Sequence, residues 1–299
     1  MKRKFICLIN PISGTKNKDQ TTKLLKIGFA KAGHDVDFLP TQEDGNYSYL
    51  PGIILKENIS DVIICGGDGT ISKVGAALIG LDVSLGIIPL GSGNGLSRTA
   101  GIPVKVPEAL QVIFAGNTTQ VDAFYLNDRF CCMLAGLGMD AQVALDFSKQ
   151  PQRGLKTYIQ QTFKNFFTSP PFPFGIIADG QELYTDAYFI SIANSNQFGN
   201  NVTIAPQASL NDGKLDIVVV NNMSKLSMLY KVVRQIISGQ PISFSKAAER
   251  KKDIWYFQAS NLTIYNTGEA PLHIDGDPAY TETVFDISVA PQALRLLVP

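Results

Sequence analysis

The chain of 299 residues carries 26 Lys and Arg against 26 Asp and Glu, for a formal net charge of zero, and is 45% hydrophobic and 17% charged. That balance excludes a disordered chain and argues against nucleic acid as a partner, since phosphate-backbone binding demands a basic excess. The four cysteines, Cys7, Cys65, Cys131 and Cys132, form no Cys-x-x-Cys pair, and the two histidines, His34 and His273, stand alone. They read as buried thiols in a reducing compartment, not as a zinc site.

The apolar run 5–9 stops at Asn10-Pro11. It is too short for a signal peptide or a membrane span and reads as a buried strand. Residues 19–31 predict a helix, with Leu24, Ile27 and Phe29 among its apolar positions, and 36–39 a second strand. Residues 62–65 and 85–88 predict two more strands. Between these two, 70–79 reads as a helix with Ile71, Val74 and Leu78 on one face. Strand, helix, strand in this rhythm predicts a parallel sheet covered by helices.

Near residue 120 the pattern changes. Residues 121–126, Asn127-Asp128 and residues 130–134 predict a hairpin. Two helical stretches follow. The second, 154–167, carries Leu155, Tyr158, Ile159, Thr162, Phe163 and Phe166 at helical spacing, and its aromatic residues read mainly as core. Phe172 and Phe174 extend this apolar region toward a candidate lipid entry path. Turn signals at Asp179-Gly180, Asp212-Gly213, Thr267-Gly268 and Asp275-Gly276 then punctuate strand-like stretches at 215–220, 262–265 and 284–289. The expected organisation is an α/β domain over residues 1–122 and a mainly antiparallel β domain over 123–299. The final C-terminal segment of the second is free to pack back on the first.

Three glycine-bearing loops fall at the carboxyl ends of predicted parallel strands, where open α/β sheets bind ligands. They are Asn10-Pro11-Ile12-Ser13-Gly14, Gly66-Gly67-Asp68-Gly69-Thr70 and Gly91-Ser92-Gly93-Asn94-Gly95. Glycine lets backbone amides approach phosphate oxygens, and a loop feeding a helix N-terminus aims N–H groups at the anion. Any one of these loops alone would be an ordinary turn. The spacing is neither Gly-x-x-x-x-Gly-Lys-Ser/Thr nor Gly-x-Gly-x-x-Gly after the first strand, so a P-loop and a standard dinucleotide fold are both disfavoured.

Gly66-Gly67-Asp68-Gly69-Thr70 resembles the signature of the diacylglycerol kinase catalytic-domain family. That family includes sphingosine and ceramide kinases and shares its nucleotide domain with NAD kinases. Asn10-Pro11 with Ser13-Gly14 resembles the first family motif, and the run from Gly91 through Leu96-Ser97-Arg98 its third, in a form closer to sphingoid-base kinases. Ala205-Pro206 through Asp212-Gly213-Lys214-Leu215-Asp216 is similar to the stretch that ends in Asp-Gly-x-Leu-Asp. His273-Ile274-Asp275-Gly276-Asp277-Pro278 is similar to the Asp-Gly-Glu motif, with Asp277 in the Glu place.

The resemblance implies an NAD-kinase-like nucleotide-binding α/β domain and a β-sandwich, with the active site between them. It implies that Asn10, Pro11, Ile12, Ser13, Gly14, Thr41, Gly66, Gly67, Asp68, Gly69, Thr70, Ile71, Ser72 and Ser92 contact ATP. It further implies a structural metal site from the Asp212 side chain and the carbonyls of Ser209 and Lys214.

The expected chemistry is magnesium-dependent phosphoryl transfer from ATP to a lipid hydroxyl. Asp68 is the candidate to organise Mg2+ and phosphates, its alternative being a helix cap. Asp275 and Asp277 are the candidates for general base, and the sequence does not choose between them. The expected acceptor is a membrane lipid such as diacylglycerol or a sphingoid base, met peripherally at the inner face of the membrane by a cytoplasmic protein, with room for a homodimer. The rivals are an NAD kinase, disfavoured by the lack of a comparable Asn-Glu dipeptide, and an inactive lipid- or nucleotide-binding regulator.

Overall fold

The computed structural model describes residues 3–11, 18–42, 44–151, 154–199, 202–228, 230, 245–246 and 253–299. The first half runs β1 (Lys4–Ile9), α1 (Lys18–Ala32), β2 (Asp35–Pro40), α2 (Leu50–Glu57), β3 (Asp61–Gly66), α3 (Asp68–Leu78), β4 (Ser84–Pro89), α4 (Gly95–Thr99) and α5 (Val106–Ala115). The second half starts with β5 (Thr118–Leu126), β6 (Arg129–Cys131), β7 (Leu134–Gly138), α6 (Met139–Ser148) and α7 (Leu155–Thr168). It goes on through β8 (Phe172–Ala178), β9 (Gln181–Ala193), β10 (Gln197–Gly199), β11 (Val202–Thr203), β12 (Leu215–Asn221), β13 (Ser245–Lys246) and β14 (Ile254–Ala259). It closes with β15 (Asn261–Tyr265), β16 (Leu272–Ile274), β17 (Asp277–Ala279) and β18 (Val284–Leu297).

Strands β4, β3, β1 and β2 lie in that order, all parallel. Every residue of β3 and β4 is buried, as continuous apolar runs covered on both faces must be. Chain order reverses between β1 and β3, so the loops after these two strands emerge side by side at the topological switch point. On α3, Ile71, Val74 and Leu78 are buried, the face expected from their spacing.

The second half is antiparallel apart from a short parallel pairing of β13 with β14. Strands β14, β12, β9, β8, β15 and β18 are adjacent in order, β7 pairs with β9 and β16, and β5 pairs with β18. β18 runs through both halves: its start pairs with β15 and its end pairs in parallel with β4, Arg295 opposite Ser84. Two apolar clusters result. One surrounds the parallel sheet through Phe5, Ile63, Leu85 and Leu296, and the other fills the sandwich through Phe124, Ile190, Val219 and Phe285.

One expectation about the aromatic segment is corrected. Of the aromatic side chains on α7 only Phe166 is buried, while Phe163 and Phe167 are each more than half exposed. Phe174 is buried in the sandwich core with Phe172 partly buried against it, and it also lines an open pocket with Pro173, Tyr184 and Tyr265. Among the described residues no helix is long and apolar enough to cross a membrane.

Candidate active site

The loop after β3 and the loop after β4 lie backbone against backbone. A Cβ on Gly91 would sit 2.5 Å from Gly67 Cα, so neither loop has room for a side chain at the crossing. The carbonyl of Gly66 accepts from the amides of Leu90 (2.9 Å) and Gly91 (3.2 Å), which fixes the crossing. From the β1 side, Asn10 Nδ2 donates to Thr70 Oγ1 at 2.8 Å, and the Thr41 amide donates to the Ile9 carbonyl at 3.2 Å. Asn10, Thr41, Gly66, Gly67, Gly69, Thr70 and Ser92 thus gather at one edge of the parallel sheet, with Ser92 exposed. Ile71 and Ser72 are buried in the first turns of α3. Ile12, Ser13 and Gly14 lie outside the described residues.

No side chain caps α3, whose N-cap is Gly67. The Thr70 amide already donates to the Gly67 carbonyl at 3.0 Å, and the amides before it stand at the positive end of the helix dipole, which favours an anion there. Asp68 does not cap α3. Its carboxylate accepts from the amides of Gly95 (3.0 Å) and Leu96 (3.2 Å) at the start of α4. It is therefore a brace between the second and third glycine loops. Burial pushes its pKa up to about 6, while the two amide hydrogen bonds pull the other way. Asn94, left-handed at φ 53°, enters α4 with its Nδ2 donating to the Gly91 carbonyl at 2.8 Å.

The Asp-Gly-Asp motif closes the hairpin between β16 and β17. Asp275 (φ 49°) and Gly276 (φ 84°) are both left-handed between the paired Ile274 and Asp277, the conformation of a tight two-residue hairpin turn. The two aspartates have different surroundings. Asp275 is buried, and its carboxylate accepts from the amides of Cys132 (3.0 Å), Met133 (2.9 Å) and Leu134 (2.9 Å). The Cys131 and Cys132 thiols lie 3.1 Å and 3.6 Å from its oxygens. Burial, then the charge of Asp275, raises both thiol pKa values well above the ordinary range, so both stay protonated and can donate.

Asp277 is open to solvent and faces α3. A Cβ on Gly69 would meet its Oδ2 at 2.6 Å, and Lys73 Nζ lies 3.3 Å from the same oxygen. One exposed carboxylate from the β half thereby stands against the glycine loop of the α/β half.

The Asp212 loop is a separate feature. Asp212 is exposed and one of its oxygens accepts from the Lys214 amide at 3.1 Å, while Ser209 Oγ donates to Asn211 Oδ1 at 3.1 Å. Among the described residues no group of three or more His, Cys, Asp or Glu is placed to hold a metal ion. One carboxylate with main-chain carbonyls is an oxygen-only set, which suits a hard divalent cation completed by water. Asp216 belongs to the core: it is fully buried, its oxygens hold Gln258 and the Tyr256 hydroxyl, and burial raises its pKa to about 7.

Sequence reasoning missed Asp122. It is 1% exposed and bridges the Gly213 amide (2.7 Å) to the Gln292 amide (2.8 Å), tying the Asp212 loop to β18. A lone carboxylate inside the apolar run 121–126 was the available signal. Lys73 and Asp140 were missed as well, and nothing in their sequence context singles them out.

Two family models match: the diacylglycerol kinase catalytic domain over residues 4–126, and the YegS C-terminal NAD kinase beta sandwich-like domain over residues 134–298. An uncharacterized protein of Synechocystis is 30% identical over 98% of this chain and 69% of its own length. A diacylglycerol kinase of Mycobacterium tuberculosis is 25% identical over 99% of this chain and 95% of its own. A Salmonella typhimurium protein named probable lipid kinase YegS is 29% identical over 87% and 85%. A crystal structure of a Bacillus anthracis diacylglycerol kinase superposes with a TM-score of 0.75 at 21% identity, covering 99% of this chain and 97% of that one, which shows a common fold. With both domains matched in order, the chain belongs to the diacylglycerol kinase catalytic-domain family, lipid kinases that transfer a phosphoryl group to a hydroxyl.

Proposed function

We propose that this protein moves the γ-phosphoryl group of ATP onto the hydroxyl of a membrane lipid such as diacylglycerol or a sphingoid base, with Asp277 as general base. The observation that carries the reading is the placement of the Asp277 carboxylate against Gly69, at the uncapped start of α3. Phosphoryl transfer requires phosphates held by backbone amides and an acceptor hydroxyl deprotonated in line with them. The glycine loops supply the first, with Asn10, Thr41, the loop 66–72 and Ser92 around the nucleotide, and Asp277 supplies the second. Asp275 is committed to the amides of 132–134 and serves as the anchor that presents Asp277.

Magnesium, when bound with ATP, neutralises charge on the β- and γ-phosphates. Asp68 would meet it through water, because both carboxylate oxygens already hold α4. The Asp212 carboxylate with the Ser209 and Lys214 carbonyls would hold a second, structural cation that stiffens the loop tied down by Asp122.

On α7, Ile159, Phe163 and Phe167 recur every four residues and are 49%, 55% and 56% exposed. An apolar ridge of this kind fits peripheral contact with the inner face of the membrane. The deciding assay presents lipid acceptors in mixed micelles with labelled ATP and magnesium, with NAD as a parallel acceptor. Labelled lipid phosphate supports the proposal. Efficient phosphorylation of NAD with every dispersed lipid ignored would sink it.

A further inference from the structure

Behind the Asp275-Gly276 turn lies a buried pair that the chemistry above does not use. His273 in β16 and Asp140 at the start of α6 are 4% and 9% exposed, with His273 Nε2 3.4 Å from Asp140 Oδ2. On its other side the ring accepts the Gly276 amide at Nδ1, 3.4 Å away. That acceptance leaves Nδ1 without a hydrogen, so the ring hydrogen sits on Nε2 and points at the carboxylate. Asp140 Oδ1 accepts the Ala141 amide at 2.8 Å, while Oδ2 is buried and makes no hydrogen bond among the described residues. A buried carboxylate oxygen with one polar neighbour is costly unless that neighbour donates to it. Closing the gap by about half an ångström brings the two atoms to ordinary hydrogen-bond length, a tightening common when catalytic sites fill.

The strand opposite is shaped around this pair. Gly136 in β7 is in register with His273. A Cβ there would collide with Asp140 Oδ2 and would stand 2.5 Å from His273 Nε2. Glycine at 136 is therefore required by the two side chains that fill its place. The charge of Asp140 also reaches Tyr158 on α7, whose hydroxyl is pushed up to about 12 by burial first and by Asp140 second. One continuous set of contacts thus runs from α6 through Asp140 and His273 to the Gly276 amide, one residue before Asp277.

We propose that Asp140 and His273 are positioning residues for the general base: the pair holds the Gly276 peptide, and so sets where the Asp277 carboxylate stands relative to the glycine loop. The inference rests on the reading of Asp277 as base. It goes beyond that reading by assigning a function to a histidine and a carboxylate that touch neither ATP nor acceptor.

The test is a double-mutant cycle in the full chain, read by lipid phosphorylation in mixed micelles. His273→Leu and Asp140→Ala should each lower kcat by about tenfold with KM for ATP within about twofold of wild type. The double variant should lose no more than either single one, because the two act as a unit. His273→Asn, which restores an acceptor for the Gly276 amide, should recover most of the turnover. If His273→Leu fails to fold, Asp140→Ala and His273→Asn carry the same reading.

Wild-type kcat in folded His273→Leu and Asp140→Ala, in a protein whose Asp277→Asn variant is inactive, overturns the positioning role alone. So does a double variant whose losses multiply. Wild-type kcat in Asp277→Asn removes the base assignment itself, and this inference falls with it.

Discussion

Replacing Asp277 by asparagine removes the carboxylate beside Gly69 at nearly constant volume. The side chain is 56% exposed and its only ion pair among the described residues is to a half-exposed Lys73 at 3.3 Å. Surface pairs of this kind contribute about 0–1 kcal/mol, so the melting temperature should move by no more than a few degrees. Loss of a general base should lower kcat by about 10²–10⁴, or about 3–5 kcal/mol of barrier, with ATP affinity unchanged. Asp275→Asn should fail in the opposite way. Its Oδ1 holds the Met133 and Leu134 amides and its Oδ2 the Cys132 amide, so an NH2 group must face at least one buried N–H. Each such clash costs about 1–3 kcal/mol, and the melt should fall by several degrees. Thermal melts and labelled-ATP turnover on the two variants separate the roles. Turnover within about threefold of wild type in Asp277→Asn would refute the reasoning. So would an Asp275→Asn protein that melts like wild type but is inactive.

Gly69→Ala places a methyl 2.6 Å from Asp277 Oδ2, so the carboxylate must swing away; kcat should fall by about tenfold or more with little change in the melt, and unchanged turnover would show that Asp277 acts from elsewhere. Asp68 carries a pH signature: its folded pKa of about 6 lies above the ordinary 3.8, so the fold prefers the protonated form. That preference is fully present below about pH 4 and is lost as pH rises through about 6, so wild type should lose up to about 3 kcal/mol relative to Asp68→Asn across this window. Denaturant titrations without divalent cations at both ends of the window check this, and a difference independent of pH would contradict it. Asp212→Ala should abolish the upward shift that magnesium gives the wild-type melt, and equal magnesium responses in both proteins would dismiss the cation site.

The parallel half was readable because its signals are local. Continuous apolar runs gave β1, β3 and β4, the spacing of Ile71, Val74 and Leu78 gave α3, and glycine at each strand end marked the crossing loops. The hairpin at Asp179-Gly180 was equally plain, its two left-handed residues sitting between the paired Ala178 and Gln181. β18 was not fully readable. The apolar alternation stops at 289, and Ala290-Pro291-Gln292 looks like an end. In the structure the strand shifts register there, Gln292 turns left-handed and gives its amide to Asp122, and pairing resumes as far as Leu297. A partner 170 residues away in sequence supplies the hydrogen bond, and no local pattern reports it. The partners of Asp68 were not readable either: its donors belong to α4, a helix reached only after β4 returns the chain to the same edge.

The different surroundings of Asp275 and Asp277 show why the motif resisted assignment. Residues two apart in a strand point to one face, so strand alternation would put both carboxylates in the same environment. The hairpin breaks that parity. With Asp275 and Gly276 both at positive φ, the chain reverses between them, and only Asp277 resumes the alternation, now on β17. Asp275 is left facing back across β16 toward the amides of 132–134, a concave run of donors that fixes an anion in place. Asp277 is carried out to the α3 terminus, where the missing side chain of Gly69 admits it. A shorter acidic side chain than glutamate reaches the glycine loop because that loop offers no Cβ to stand in its way. The geometry at 277 therefore depends on three other positions, two in the same hairpin and one in the distant first half of the chain. Asp275 locks the turn, His273 holds its following amide, and Gly69 leaves the space into which the carboxylate projects.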